Sequence, residues 1–96
     1  MLILRVLRPG ELHGWGVSLR IQAISRDALT VNQGSLYPAL HRLEERGWIS
    51  ADWGVSENGR KARFYKLTAR GKRELENERK VWEEYAAAVR LVLDLA

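Results

Sequence analysis

TVNQGSLYPALHRLEERG, residues Thr30 to Gly47, reads as one amphipathic helix with a start, a stop and two unlike faces. Leu36, Leu40 and Leu43 recur at spacings of four and three with Ala39 beside them, which lays an apolar stripe along one side. Gln33, Ser35, Tyr37, His41 and Arg42 spread over the remaining sides. Thr30 and Gln33 stand three apart, the spacing of a capping box, in which a threonine hydroxyl and a glutamine amide satisfy each other's free backbone N–H groups. Arg46 followed by Gly47 supplies a positive last turn and a glycine for the left-handed residue that closes many helices. Pro38 leaves the start open. Either the helix begins at Thr30 and bends at the proline, or it begins at Ser35 and holds Pro38 in the first turn, where a missing N–H costs little.

Outward from this run, the chain reads as its support. Leu2, Ile3, Val6 and Leu7 cover one side of a short helix that Pro9-Gly10 ends. A second helix is expected from Leu12 to about Ser25, with Leu12, Trp15, Leu19 and Ala23 on one side and Val17, Ile21 and Ile24 on another. His13 and Gly14 open it, and the imidazole is suited to capping. After the central run, WISADW (Trp48 to Trp53) alternates as a half-buried strand, with Ile49, Ala51 and Trp53 on one side. KARFYKL (Lys61 to Leu67) gives a second strand, and Asn58-Gly59 between them is a strong hairpin signal. Thr68 caps a last helix that runs toward the C-terminus. Leu75, Trp82, Val89 and Ala96 fall seven apart along it, with Tyr85 and Val92 in a second row. Such a helix is longer than a body of this size covers, so its overhang points to a second copy of the chain, with residues 69–96 as the dimerisation helix and Leu75, Trp82, Tyr85, Val89 and Val92 in the seam.

Composition narrows the function. Ninety-six residues, 46% of them apolar, make one domain over residues 1–96 with a modest core. There is no cysteine, hence neither disulfide framework nor thiolate metal site, and His13 and His41 lack a carboxylate cluster. No stretch reaches the ~20 apolar residues that span a bilayer, so a soluble, cytoplasmic protein without membrane contact is expected. No nucleophile and base stand in motif spacing and no glycine loop cradles a phosphate, so neither enzyme nor cofactor is expected. The net charge is only +4, yet Asn58 to Arg73 holds seven basic residues and no acidic one. A local positive field of this kind suits an anionic polymer on one face.

Helix, helix, helix, two-stranded ribbon and long helix, in that order, is the winged helix-turn-helix arrangement: mainly α with a two-stranded β wing. Its third helix fits a major groove and its ribbon suits phosphates or the adjacent minor groove. Gln33 and Ser35 fall near the end of the helix that enters the groove. His41 and Arg42 lie one turn on, suited to phosphate, as are Arg60, Lys61 and Arg63 on the ribbon.

The stretches LHGWGVSLRI, GSLYPALHRLEERGWI and RFYKLTARG resemble the PadR family of transcriptional regulators, whose pattern joins an LHGY-like segment to a G-[ST]-LYPAL-x-RLE-x-x-G core. Glu11 stands where that pattern commonly has proline, and Trp15 where tyrosine is usual. The resemblance implies a homodimeric repressor that binds a pseudo-palindromic operator in double-stranded DNA, with DNA contact for Tyr37. Some members of that family bind planar aromatic effectors between subunits, and for such a ligand Trp82 is the candidate contact here. The alternative class is a winged helix serving as a protein interaction module, its basic run meeting an acidic partner.

Overall fold

Three apolar helical stripes and one strand face can be buried together only by closing around a common centre, and the computed structural model, which describes residues 1–95, shows that closure. Helix α1 spans Leu2–Leu7, strand β1 Leu12–His13, α2 Gly14–Ile24, α3 Gln33–Glu45, β2 Ile49–Val55, β3 Lys61–Leu67 and α4 Ala69–Leu93. The core takes Leu4, Val6 and Leu7 from α1, Val17 and Ile21 from α2, Leu36 and Leu40 from α3, then Ile49, Tyr65 and Leu75. Burying each aliphatic side chain here contributes about 1.5–3 kcal/mol against conformational entropy. In α1 the buried face is Leu4, Val6 and Leu7, whereas Leu2, expected inward, is half-exposed.

The sheet has three strands rather than two, in the order β1-β3-β2, both pairs antiparallel. Leu12 and His13 pair with Tyr65 and Phe64, so the expected first turn of α2 is instead an edge strand. His13 is extended, with φ −78° and ψ 168°, and its Nδ1 accepts from the Gly16 N–H at 3.0 Å. It thus closes the strand and caps the helix, as its position before α2 suggested. The hairpin keeps register from Ile49↔Leu67 to Val55↔Lys61. Its turn accepts Gly59 N–H at Ser56 O (2.9 Å) and Ser56 N–H at Arg60 O (2.8 Å), with Gly59 at φ 73° and Asn58 outside the positive-φ region. This is a type I turn with a glycine bulge, not the two-residue turn most often made by Asn-Gly.

Helix α3 ends as its Arg46-Gly47 pair predicts. Gly47 takes φ 75°, its N–H reaches Glu44 O at 3.0 Å, and the Trp48 N–H reaches Leu43 O at 3.1 Å. The paired bonds satisfy carbonyls that the helix end would otherwise leave open. Thr68 then caps α4, accepting from the Gly71 N–H at 3.0 Å. Its hydroxyl lies 2.7 Å from Gly47 O, and its own N–H bonds Trp48 O at 3.1 Å. Gly71 is buried against this joint, where a side chain would meet the Trp48 carbonyl oxygen.

Helix α4 has 25 residues, about 37 Å at 1.5 Å per residue. Only its opening turns belong to the body. Leu75, expected in the seam with a second copy, is instead 1% exposed inside the core. Beyond it Val81, Trp82, Tyr85, Leu91, Val92 and Leu93 stand exposed, and Val89 is just over one-third exposed. Ala96, the last member of the seven-residue row, lies outside the described residues. Among the described residues no helix is long and apolar enough to cross a membrane, and no group of three or more His, Cys, Asp or Glu could hold a metal ion.

Replacing Gly71 with alanine drives a methyl group into the Trp48 carbonyl and separates α4 from the end of α3. The variant is expected to lose about 2 kcal/mol, or roughly 10 °C in midpoint for a domain this small, in a thermal melt followed by circular dichroism.

Candidate nucleic-acid interface

The segment between α2 and α3 is built to be tight. Arg26 and Asp27 both take positive φ, 53° and 64°, an uncommon state for residues with a Cβ. They are held there by neighbours: Gln22 Nε2 donates to Asp27 Oδ1 at 3.1 Å, and the Leu29 N–H donates to Ser25 Oγ at 3.0 Å. Helix α3 begins at Gln33, between the two starts that the sequence left open. Asn32, not Thr30, is the cap, its Oδ1 accepting from the Gly34 N–H at 2.7 Å. Gln33 therefore does not close a capping box. Its side chain donates across to Ser18 Oγ at 3.0 Å, and Ser18 donates to Trp15 O at 2.9 Å. That chain of bonds ties the first turn of α3 to the buried side of α2. Pro38 sits inside the helix and leaves the Gly34 carbonyl without its usual N–H partner. Both residues are exposed, so water can take that bond.

Along α3, Ser35, Tyr37, Pro38, His41, Arg42 and Glu45 face solvent, while Leu36 and Leu40 are buried. His41 Nε2 is 3.0 Å from a Glu45 carboxylate oxygen one turn on. Tyr37 is half-exposed, and its ring covers Gly14 at the start of α2. A Cβ at Gly14 would stand 2.8 Å from the ring and from the phenolic oxygen. Tyr37 thus packs its ring and phenolic oxygen against the start of α2.

The wing carries Arg60 at its tip and Lys61 at the head of β3, both exposed. Lys61 Nζ lies 5.1 Å from the Trp53 ring centre. Trp53, expected to turn inward, is 64% exposed, because the ribbon has run past the body by that position. Arg63, across the ladder from Trp53, is engaged differently from its basic neighbours. Its guanidinium makes a two-bond pair with the Glu44 carboxylate of α3, at 2.7 and 3.1 Å. Tyr65 follows on the same face of β3. Burial pushes its phenol above its ordinary range, and the Arg63 guanidinium partly opposes that.

Tyr37, Arg60, Lys61 and Arg63 line one open concavity of about 1080 Å³ between the start of α2 and the wing. Trp15, Leu19, Arg20 and Trp53 line it too. From sequence, Trp15 and Leu19 read as part of the apolar pattern of α2 and Trp53 as one side of a half-buried strand, and nothing marks Arg20, yet all four are exposed. Gln33, Ser35, His41 and Arg42 stay on α3 outside that lining. A second concavity of about 490 Å³ lies on α4, where Glu74, Val81, Trp82 and Tyr85 are among its lining residues. The Trp82 and Tyr85 ring centres are 6.1 Å apart, with planes tilted by 38°.

The model of the transcriptional regulator PadR-like family matches residues 3–77. The chain belongs to this family. PadR-like proteins are transcriptional regulators, so the chain is a regulator of transcription and not an enzyme. The transcriptional regulator Rv3488 of Mycobacterium tuberculosis is 37% identical over 87 residues, covering 91% of this chain and 78% of its own. A transcriptional regulator from Clostridium thermocellum superposes with a TM-score of 0.84 at 25% identity, over 93% of this chain and 86% of that one. PadR of Bacillus subtilis, solved in complex with operator DNA, superposes with a TM-score of 0.70 at 28% identity, over 79% of this chain and 42% of that one.

Gly14→Ala is expected to cost about 1 kcal/mol in urea denaturation through its clash with the Tyr37 ring. In a Tyr37→Ala background that cost should vanish, since the two residues are then no longer in contact.

Proposed function

We propose that this regulator binds double-stranded DNA directly, as a symmetric homodimer on a pseudo-palindromic operator, and represses the transcription it controls. The observation that carries the reading is the single concavity shared by Tyr37 of α3 and by Arg60 and Lys61 of the wing. A duplex surface offers a major groove to α3 and a phosphate backbone or minor groove to the wing on one side of the protein. Ser35 and Tyr37 are the candidates for groove contact, with His41 and Arg42 further along α3. Gln33 holds α3 to Ser18 and so acts in positioning rather than contact. Arg60 and Lys61 are the candidates for phosphate. The operator complex of the Bacillus subtilis relative supports the same reading.

The dimer reading rests on α4. Trp82, Tyr85, Val89 and Val92 form an exposed apolar row on a helix that outruns its own domain. A long exposed row of this size is buried when a second copy packs against it, and two copies related by a two-fold axis would set two α3 helices about one helical turn of DNA apart. Trp82 and Tyr85 also offer flat ring faces beside the smaller concavity, suited to a planar aromatic effector that changes DNA affinity by favouring one dimer state.

Duplex affinity should fall steeply with salt, because phosphate contacts release counterions. Arg60→Ala and Lys61→Ala should each weaken binding on every sequence and lower the salt slope by about one unit. A protein that fails to retard duplex DNA at low salt contradicts direct binding and leaves a protein interaction module as the reading. In sedimentation, Tyr85→Asp should shift a dimer to monomer at micromolar concentration, and wild-type protein that sediments as a monomer contradicts the dimer.

A further inference from the structure

A two-stranded ribbon is marginal by itself, and this one loses its core contacts along its length. Ile49 and Tyr65 are buried, Ala51 is half-buried, and Trp53 and Val55 are exposed. Its outer half must be aimed by something other than apolar packing. Arg63 stands at the changeover, two residues toward the wing tip from buried Tyr65, and Glu44 of α3 meets it there. Both terminal nitrogens of Arg63 are used, on separate oxygens of the Glu44 carboxylate, at 3.1 and 2.7 Å. A fork-to-fork pair of this kind constrains angle as well as distance, which a single hydrogen bond does not. The side chains keep 39% and 26% of their exposure, so the pair is neither fully screened by water nor sealed in the core.

We infer that Glu44 is a positioning residue for the DNA-binding wing: its pair with Arg63 sets the angle between β2-β3 and α3, and so where Arg60 and Lys61 meet phosphate. This rests on the reading of the chain as a duplex-binding protein. Its consequence runs against simple electrostatics. Removing a carboxylate beside a polyanion reduces repulsion and by charge alone raises affinity. If Glu44 aims the wing, removing it lowers affinity. The assignment also separates Arg63 from Arg60 and Lys61: its guanidinium is already committed to α3, and its contribution to binding is made through the direction of the strand.

The test titrates wild type, Glu44→Gln, Arg63→Gln, the double variant and the exchanged pair Glu44→Arg with Arg63→Glu against a duplex selected from fragments of the source genome, over a range of salt. Each single variant should bind about five- to tenfold more weakly with an unchanged salt slope. The double variant should be no worse than either single one, and the exchanged pair should recover most of the loss. Hydrogen exchange in the absence of DNA should speed up at amides from Trp53 to Ala62 in Glu44→Gln. Tighter or unchanged binding by Glu44→Gln, a salt slope about one unit lower in Arg63→Gln, or unchanged exchange in the wing each overturns the assignment. Wild-type protein that binds no duplex overturns the DNA reading as well, so the two failures are distinguishable.

Discussion

The carbonyls of Gly47 and Trp48 are where three elements of this protein are joined. Gly47 turns the chain out of α3 through a left-handed residue, and Trp48 leads into β2. The Thr68 N–H and hydroxyl reach back to those two carbonyls from the end of β3, and the same hydroxyl accepts the first bond of α4. Gly71 lets α4 approach the joint without a side chain between them. Helix, wing and projecting helix are therefore referred to one point in the backbone. A change in that point would move the wing and α4 together relative to α3, and both the DNA reading and the dimer reading depend on those directions.

Second to this joint is the hold between α2 and α3. The Gln33 amide, the Ser18 hydroxyl and the Trp15 carbonyl form a short relay across the two helices. Tyr37 then lies over Gly14, so this side chain of α3 also packs the two helices together. The His13 ring caps α2 and meets Phe64 edge-on, with ring centres 5.5 Å apart, which fastens the start of α2 to β3. Polar contacts thus fix relative directions where the small apolar core fixes only proximity.

Most of this architecture was legible in the sequence because it rests on local signals. The stripe of Leu36, Leu40 and Leu43, the glycine stop at Gly47, the Thr68 cap and the Asn58-Gly59 turn each depend on a few neighbouring residues. What escaped depends on partners distant in sequence. Leu12 and His13 form a strand only because Tyr65 and Phe64 lie alongside, and two residues are too few to show an alternating pattern. Leu75 fits a seven-residue row, but contact with the body takes it into the core. Thr30 and Gln33 have capping-box spacing, yet Asn32 caps first and Ser18 claims the glutamine. Arg63 reads as one more cation in a basic run until the fold sets Glu44 beside it.

In the proposed complex, α3 and the wing form one DNA-reading surface, duplicated by a two-fold axis through α4. Hydroxyl-radical footprinting of the protein on its selected operator tests this most directly, since cleavage protection reports each phosphate-sugar contact along both strands. Two symmetry-related protected segments are expected, with centres about one helical turn, roughly 10 base pairs, apart. A single protected segment, or uniform cleavage at protein concentrations that retard the duplex, contradicts that arrangement.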